Sequence, residues 1–144
     1  MDTKVERVFH HVGLGDLSLI RAYVRETAVS QPATTTAIDE LILAVNEAIE
    51  NIIRHGYQDN PGDITIYVTN HNDSVQVKLL DNSLNFDPTT NSSPDMTLPL
   101  AERPIGGMGV HMMRVFCDEV TYRRTDHGEN ELTLLKRIDL GDEN

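Results

Sequence analysis

The feature that most constrains the fold of this chain lies at residues 34–56. Ile38, Leu41, Ile42, Val45, Ile49 and Ile52 recur there at helical spacing, which puts them on one face at about 100° per residue. Thr34, Thr35 and Thr36 open the segment and Gly56 closes it, the punctuation that a helix start and stop require. A helix with so continuous an apolar stripe must bury it against a second layer. Ala44, Glu47, Ala48, Asn51 and His55 share a flank away from that stripe. Two alanines beside a carboxylate, an amide and an imidazole suit a ligand lying close to the helix; they also suit a solvated face with one Glu47/Asn51 pair a turn apart. Glu50 and Arg54 form a separate i, i+4 pair, worth at most about 0.5 kcal/mol.

The second layer is predicted to be a sheet. Ile64, Ile66, Val68 and then Val75, Val77, Leu79 alternate with Thr65, Tyr67, Thr69 and Gln76, Lys78, and Asn70, His71, Asn72 and Asp73 connect the two runs. This is the pattern of an antiparallel hairpin with helices on one face and water on the other. Residues 4–10 alternate Val5, Arg7 and Phe9 against Lys4, Glu6 and Val8, a first strand at a sheet edge. Asp16 is placed to cap a helix bearing Leu17, Ile20, Val24 and Ala28 that ends before Pro32. Residues 119–124 and 131–137 predict two closing strands joined at residues 126–129, and the last four residues predict a frayed tail. The expected architecture is α+β, a two-layer sandwich of a mixed, mostly antiparallel sheet with helices on one face. At 144 residues the chain suits a single domain over residues 1–144.

Composition removes several functional classes. A formal net charge of -11 argues against direct nucleic-acid binding, which needs a basic surface to displace counterions. The chain has no long apolar run and no secretory pattern, so no membrane role is expected and the cytoplasm is the default. The lone cysteine, Cys117, excludes an intrachain disulfide and falls among Val110, Met113 and Phe116 as a core residue. The histidines are scattered without metal-ligand spacing. Acidity still leaves room for a nucleotide, because a magnesium ion and a few local donors reverse the field within one pocket.

Two further stretches carry candidate chemistry. Asp81 emerges at the end of the hairpin's second strand, ahead of irregular chain; such a carboxylate serves as a recognition group or as a turn cap. Residues 89–104 are rich in Thr, Asn, Ser and Pro, with Met96, Leu98, Leu100 and Ile105 as apolar anchors. A loop of this length in a small domain suits a lid, placed at about residues 88–105. It leads into Gly106, Gly107, Met108 and Gly109 and then a predicted helix over residues 110–117. Such a junction is either a tight turn or an anion site, where free N–H groups of a first helical turn meet a phosphate.

Taken together, Glu47-x-x-x-Asn51 on a helix, Asp81 with Phe86-Asp87-Pro88 at a strand end, and the Gly106–Gly109 run at a helix start stand in a definite order. With the segments 44–57, 106–114 and 118–122 and the pattern Asn130-x-Leu-x-Leu-x-Lys136, the chain resembles the bacterial anti-sigma-factor serine/threonine kinases, a branch of the histidine-kinase-like ATPase superfamily. That resemblance covers nearly the whole chain and implies a Bergerat-type ATP-binding fold with ATP and Mg2+ as cofactors. It implies that Asn51 binds the metal and that Glu47 is the general base. Asp81 would accept a hydrogen bond from the adenine amino group, with Asn130 reaching the base through water. Backbone N–H groups around Gly106, Gly107, Met108, Gly109 and Val110 would hold phosphates, Arg103 in the lid would contact the terminal phosphate, and His55 would be a phosphate-side neighbour. Ser83 occupies a position where relatives carry glycine. Its side chain would crowd the adenine or replace a water, and a left-handed backbone there would cost on the order of 1–2 kcal/mol. The implied partners are an anti-anti-sigma (STAS-type) protein and a sigma factor, with a homodimer possible. The alternative is a non-catalytic binding module, nucleotide-gated or nucleotide-free.

Overall fold

The computed structural model describes residues 3–28, 35–83 and 107–137. The predicted lid with Arg103, the residues Thr34, Phe86 and Gly106, and the chain end lie outside them. The order is β1 (Thr3–Val12), a short 3-10 turn (Leu14–Asp16), α1 (Leu17–Thr27), α2 (Thr35–Asn51), a π turn (Ile52–Gly56), β2 (Gly62–Asn70), β3 (Ser74–Asp81), α3 (Gly107–Phe116), β4 (Glu119–Arg124) and β5 (Asn130–Arg137). The five strands form one sheet in the order β1-β2-β3-β5-β4, and all four pairings are antiparallel.

Alternation decides which face of each strand is dry. Ile64, Ile66 and Val68 of β2, Val75, Val77 and Leu79 of β3 and Leu132 and Leu134 of β5 are buried, and together with the helices' apolar faces they make one core. In β1, which is an edge strand as expected, only Phe9 and Val12 are buried. An odd spacing would send these two to opposite faces. A register shift between them, with His11 at φ 52°, inserts the extra residue that returns Val12 to the core.

Asp16 does not cap α1 as expected. Its carboxylate accepts a hydrogen bond from the Gly13 N–H at 2.9 Å, and no side-chain cap bond is made to the helix. At its other end α1 is closed from the sheet, where buried Asn70 donates from Nδ2 to the Thr27 carbonyl at 2.7 Å.

The stripe of α2 is buried throughout, and its flank is not a solvated face: Ala44 and Ala48 are fully buried. α3 packs against α2, and side chains this small let two helices approach closely. The helix also stops being α-helical sooner than its pattern predicts. After Asn51 the chain widens into the π turn, with the Tyr57 N–H donating to the Ile52 carbonyl at 2.8 Å. α3 differs in the other direction, beginning at Gly107 rather than 110, so Gly107 and Gly109 lie within its first turn. Glycine is costly in a helix by about 1 kcal/mol. Tertiary anchoring offsets that cost: Met113 is fully buried, and Lys136 donates from Nζ to the Phe116 carbonyl and to Glu40 Oε1, both at 2.7 Å. Cys117 lies in the core as expected.

Candidate functional site

The C-terminal half of α2 and the inner ends of β3, β5 and β4 enclose a small cavity. Ala48, Asn51, Ile52, Asp81, Ser83, Tyr122, Asn130 and Leu132 line it, and its volume is about 10 Å³, room for a single water. Antiparallel register brings the distant parts together: Asp81 pairs with Asn130 across β3 and β5, and Tyr122 with Leu132 across β4 and β5.

Asp81, Ser83 and Asn130 are each more than nine-tenths buried, so their polar atoms must satisfy one another. Asp81 Oδ1 accepts from the Ser83 N–H at 2.9 Å, from the Ser83 hydroxyl, and from Asn130 Nδ2 at 3.0 Å. Three donors converging on one oxygen fix the orientation of the carboxyl plane. Asn130 Oδ1 in turn accepts from the Tyr122 hydroxyl at 2.6 Å and from Arg124 Nη1 at 2.8 Å. These two donors fix which end of the amide faces Asp81. Asp81 Oδ2 makes no hydrogen bond among the described residues.

The left-handed backbone considered for Ser83 is not found, since the only non-glycine residues of positive φ among those described are His11, Gln58 and Asp59. The hydroxyl turns toward the π turn, where Gly56 supplies the space. A Cβ on Gly56 would fall on Ser83 Oγ and 2.9 Å from Ser83 Cβ.

Asn51, the expected metal ligand, is 6% exposed, and its Nδ2 has no hydrogen-bond partner among the described residues. An amide lining a cavity with an orphaned polar atom is a group prepared for a ligand. Rotation about its last torsion would present the oxygen, the hard donor that magnesium takes alongside phosphate and water. The residues present therefore fit that ion.

Glu47, one turn before Asn51, is half-buried and does not line the cavity. Burial, and secondarily the neighbouring Glu50, raises its carboxyl above the ordinary glutamate value, which moves it toward the range of a working general base. His55 sits in the π turn, partly exposed and away from the cavity lining. Gly107, Met108, Gly109 and Val110 form the first turn of α3; Gly106 and Arg103 lie outside the described residues. Burial pushes the Cys117 thiol up to about 12, which leaves no thiolate for nucleophilic chemistry.

Three residues of the site carry no expectation from the sequence. Tyr122 and Arg124 anchor Asn130; the alternation of Val120, Tyr122 and Arg124 on one strand face was the available signal. Tyr57 is the third. Its hydroxyl donates to the Asp63 carbonyl and accepts from the Asn82 N–H at 3.0 Å, and its ring takes the space that a side chain on Gly62 would fill. It thereby ties the π turn to the link between Asp81 and Ser83.

A family model described as Histidine kinase-like ATPase domain matches residues 13–136. Among curated proteins, the chain is similar to the serine/threonine-protein kinase BtrW of Bordetella bronchiseptica, 34% identical over 95 residues, which are 65% of this chain and 66% of that protein. It is also similar to the serine-protein kinase RsbW of Bacillus cereus (strain G9842), 28% identical over 87 residues, 58% of this chain and 54% of that protein. The chain thus spans about half to two thirds of the length of these relatives. Among solved structures, a chain of the SiaB-SiaC complex from Pseudomonas aeruginosa superposes with a TM-score of 0.62 at 12% identity, over 90% of this chain and 88% of that one. At that identity the likeness is one of fold.

Proposed function

We propose, because this chain belongs to the histidine kinase-like ATPase domain family, that it is an ATP-dependent serine/threonine protein kinase and a regulatory binding protein of the cytoplasm. The observation that carries this reading is the pairing of an orphaned, buried Asn51 amide with a buried Asp81 carboxylate in one cavity. A scaffold alone has no physical need for either. Asp81 accepts a hydrogen bond from the amino group of adenine, and an acceptor-only group there disfavours a base with a carbonyl in that place. Asn51 would hold magnesium through its amide oxygen, and the chemistry supplied there would be neutralisation of phosphate charge. The N–H groups of the first turn of α3 and the Arg103 guanidinium hold the phosphate oxygens. Glu47 takes the proton from a serine hydroxyl as the serine oxygen bonds to the terminal phosphorus and the bond to the ADP oxygen breaks.

The serine belongs, in this proposal, to a STAS-type anti-anti-sigma protein, and a sigma factor is the partner that the kinase sequesters. The names of the similar proteins support the kinase part of this reading. A second reading, a nucleotide-free binding module, is favoured by one observation: about 10 Å³ of cavity must widen before a purine can enter, since small-ligand pockets measure roughly 300–1,000 Å³. Transfer of labelled phosphate from ATP to a STAS-type protein separates the two. Transfer by the wild type that disappears in Glu47→Ala supports the kinase, and no transfer by the wild type at saturating ATP and magnesium supports the module.

A further inference from the structure

Ser83 and Gly56 lie on different elements, 27 positions apart in the sequence, yet each occupies the space the other leaves. The Ser83 hydroxyl stands where a Gly56 side chain would be, and from there it donates to Asp81 Oδ1. Asn130 Nδ2 approaches the same hydroxyl at 3.2 Å and the Ser83 carbonyl at 3.4 Å. The hydroxyl is therefore held on three sides: by the missing Cβ of Gly56, by the carboxylate and by the amide. It cannot turn into the cavity without giving up its bond to a buried carboxyl oxygen.

We infer that Ser83 is a positioning residue for nucleotide recognition, seated by Gly56. It saturates one oxygen of Asp81 and leaves Oδ2 as the single acceptor offered to a base. With Oδ1 engaged by three donors the carboxylate plane is locked. A base that brings an amino group to Oδ2 is accepted, and one that brings a carbonyl oxygen meets an acceptor that cannot rotate away. The π turn after Asn51 has a role here, because it delivers Gly56 against Ser83. The metal-side helix end and the base-side carboxylate are thus set by one contact. This inference rests on the proposed nucleotide site.

The test is titration of ATP and of GTP, each with magnesium, into wild type, Ser83→Ala, Gly56→Ala, and the double variant Gly56→Ala with Ser83→Gly, with thermal unfolding recorded for each. Ser83→Ala keeps the Cβ and removes the hydroxyl; the preference for ATP over GTP should fall about tenfold, while the protein still folds and unfolds cooperatively, at a temperature lowered by the loss of that one bond. Gly56→Ala should lose at least about tenfold in ATP affinity or fail to fold. The double variant, in which the alanine methyl takes the place of the serine side chain, should recover folding and most of that affinity. Unchanged discrimination in Ser83→Ala, or a double variant no better than Gly56→Ala, would overturn the inference while leaving the nucleotide site standing. Absence of ATP binding by the wild type would instead strike the proposed function itself.

Discussion

At the scale of single residues, Glu47 joins chemistry to stability. Burial and then Glu50 raise its carboxyl above the usual value, so the folded chain binds that proton more tightly than the unfolded chain does. The linked stability is fully present below the ordinary glutamate range and is lost as pH rises through the raised value. Glu47→Gln, which cannot ionise, should therefore unfold at a higher temperature than wild type near about pH 8, with the difference closing below about pH 4. The same variant should transfer phosphate about 10²–10⁴-fold more slowly. A variant less stable than wild type at the higher pH would mean that the side chain holds the fold rather than a proton. Tyr57→Phe removes one hydroxyl that serves two backbone groups; urea unfolding should show a loss of about 1–2 kcal/mol, and an unchanged midpoint would show that the strut carries no load.

At the scale of elements, legibility followed periodicity. The stripe of α2 and the alternation of β2 and β3 were readable because 3.6- and 2-residue periods are imposed by the core itself. The π turn was not readable: Ile52 and Ile53 continue an apolar run, and the close approach of Gly56 to Ser83 that accompanies the widened chain joins residues distant in sequence. The start of α3 was misplaced for a related reason. Gly107 and Gly109 are poor helix formers, and the packing of Met113 and the grip of Lys136 on the Phe116 carbonyl override that preference. If this anchoring holds α3 in place, Met113→Ala should destabilise the protein by about 2–5 kcal/mol in chemical denaturation. A loss well below that range would mean that the helix is held elsewhere.

For the molecule as a whole, the sheet register makes one site out of residues scattered along the chain. The Glu47 and Asn51 pair could be seen in the sequence because both lie on one helix flank. The resemblance put Asp81, Ser83 and Asn130 around one base, but the network of hydrogen bonds that joins them to one another and to Tyr122 was not legible, because these residues are up to 49 positions apart and meet only through antiparallel pairing. In the proposed function, what makes that network a nucleotide site is the adjacent Asn51 amide, buried and with its Nδ2 unpartnered among the described residues. Calorimetric titration of ATP into the protein, with and without magnesium, tests this most directly. The account predicts micromolar binding that weakens when magnesium is withheld and is lost in Asn51→Ala and Asp81→Ala; no heat at millimolar ATP, or binding indifferent to both substitutions, would contradict it.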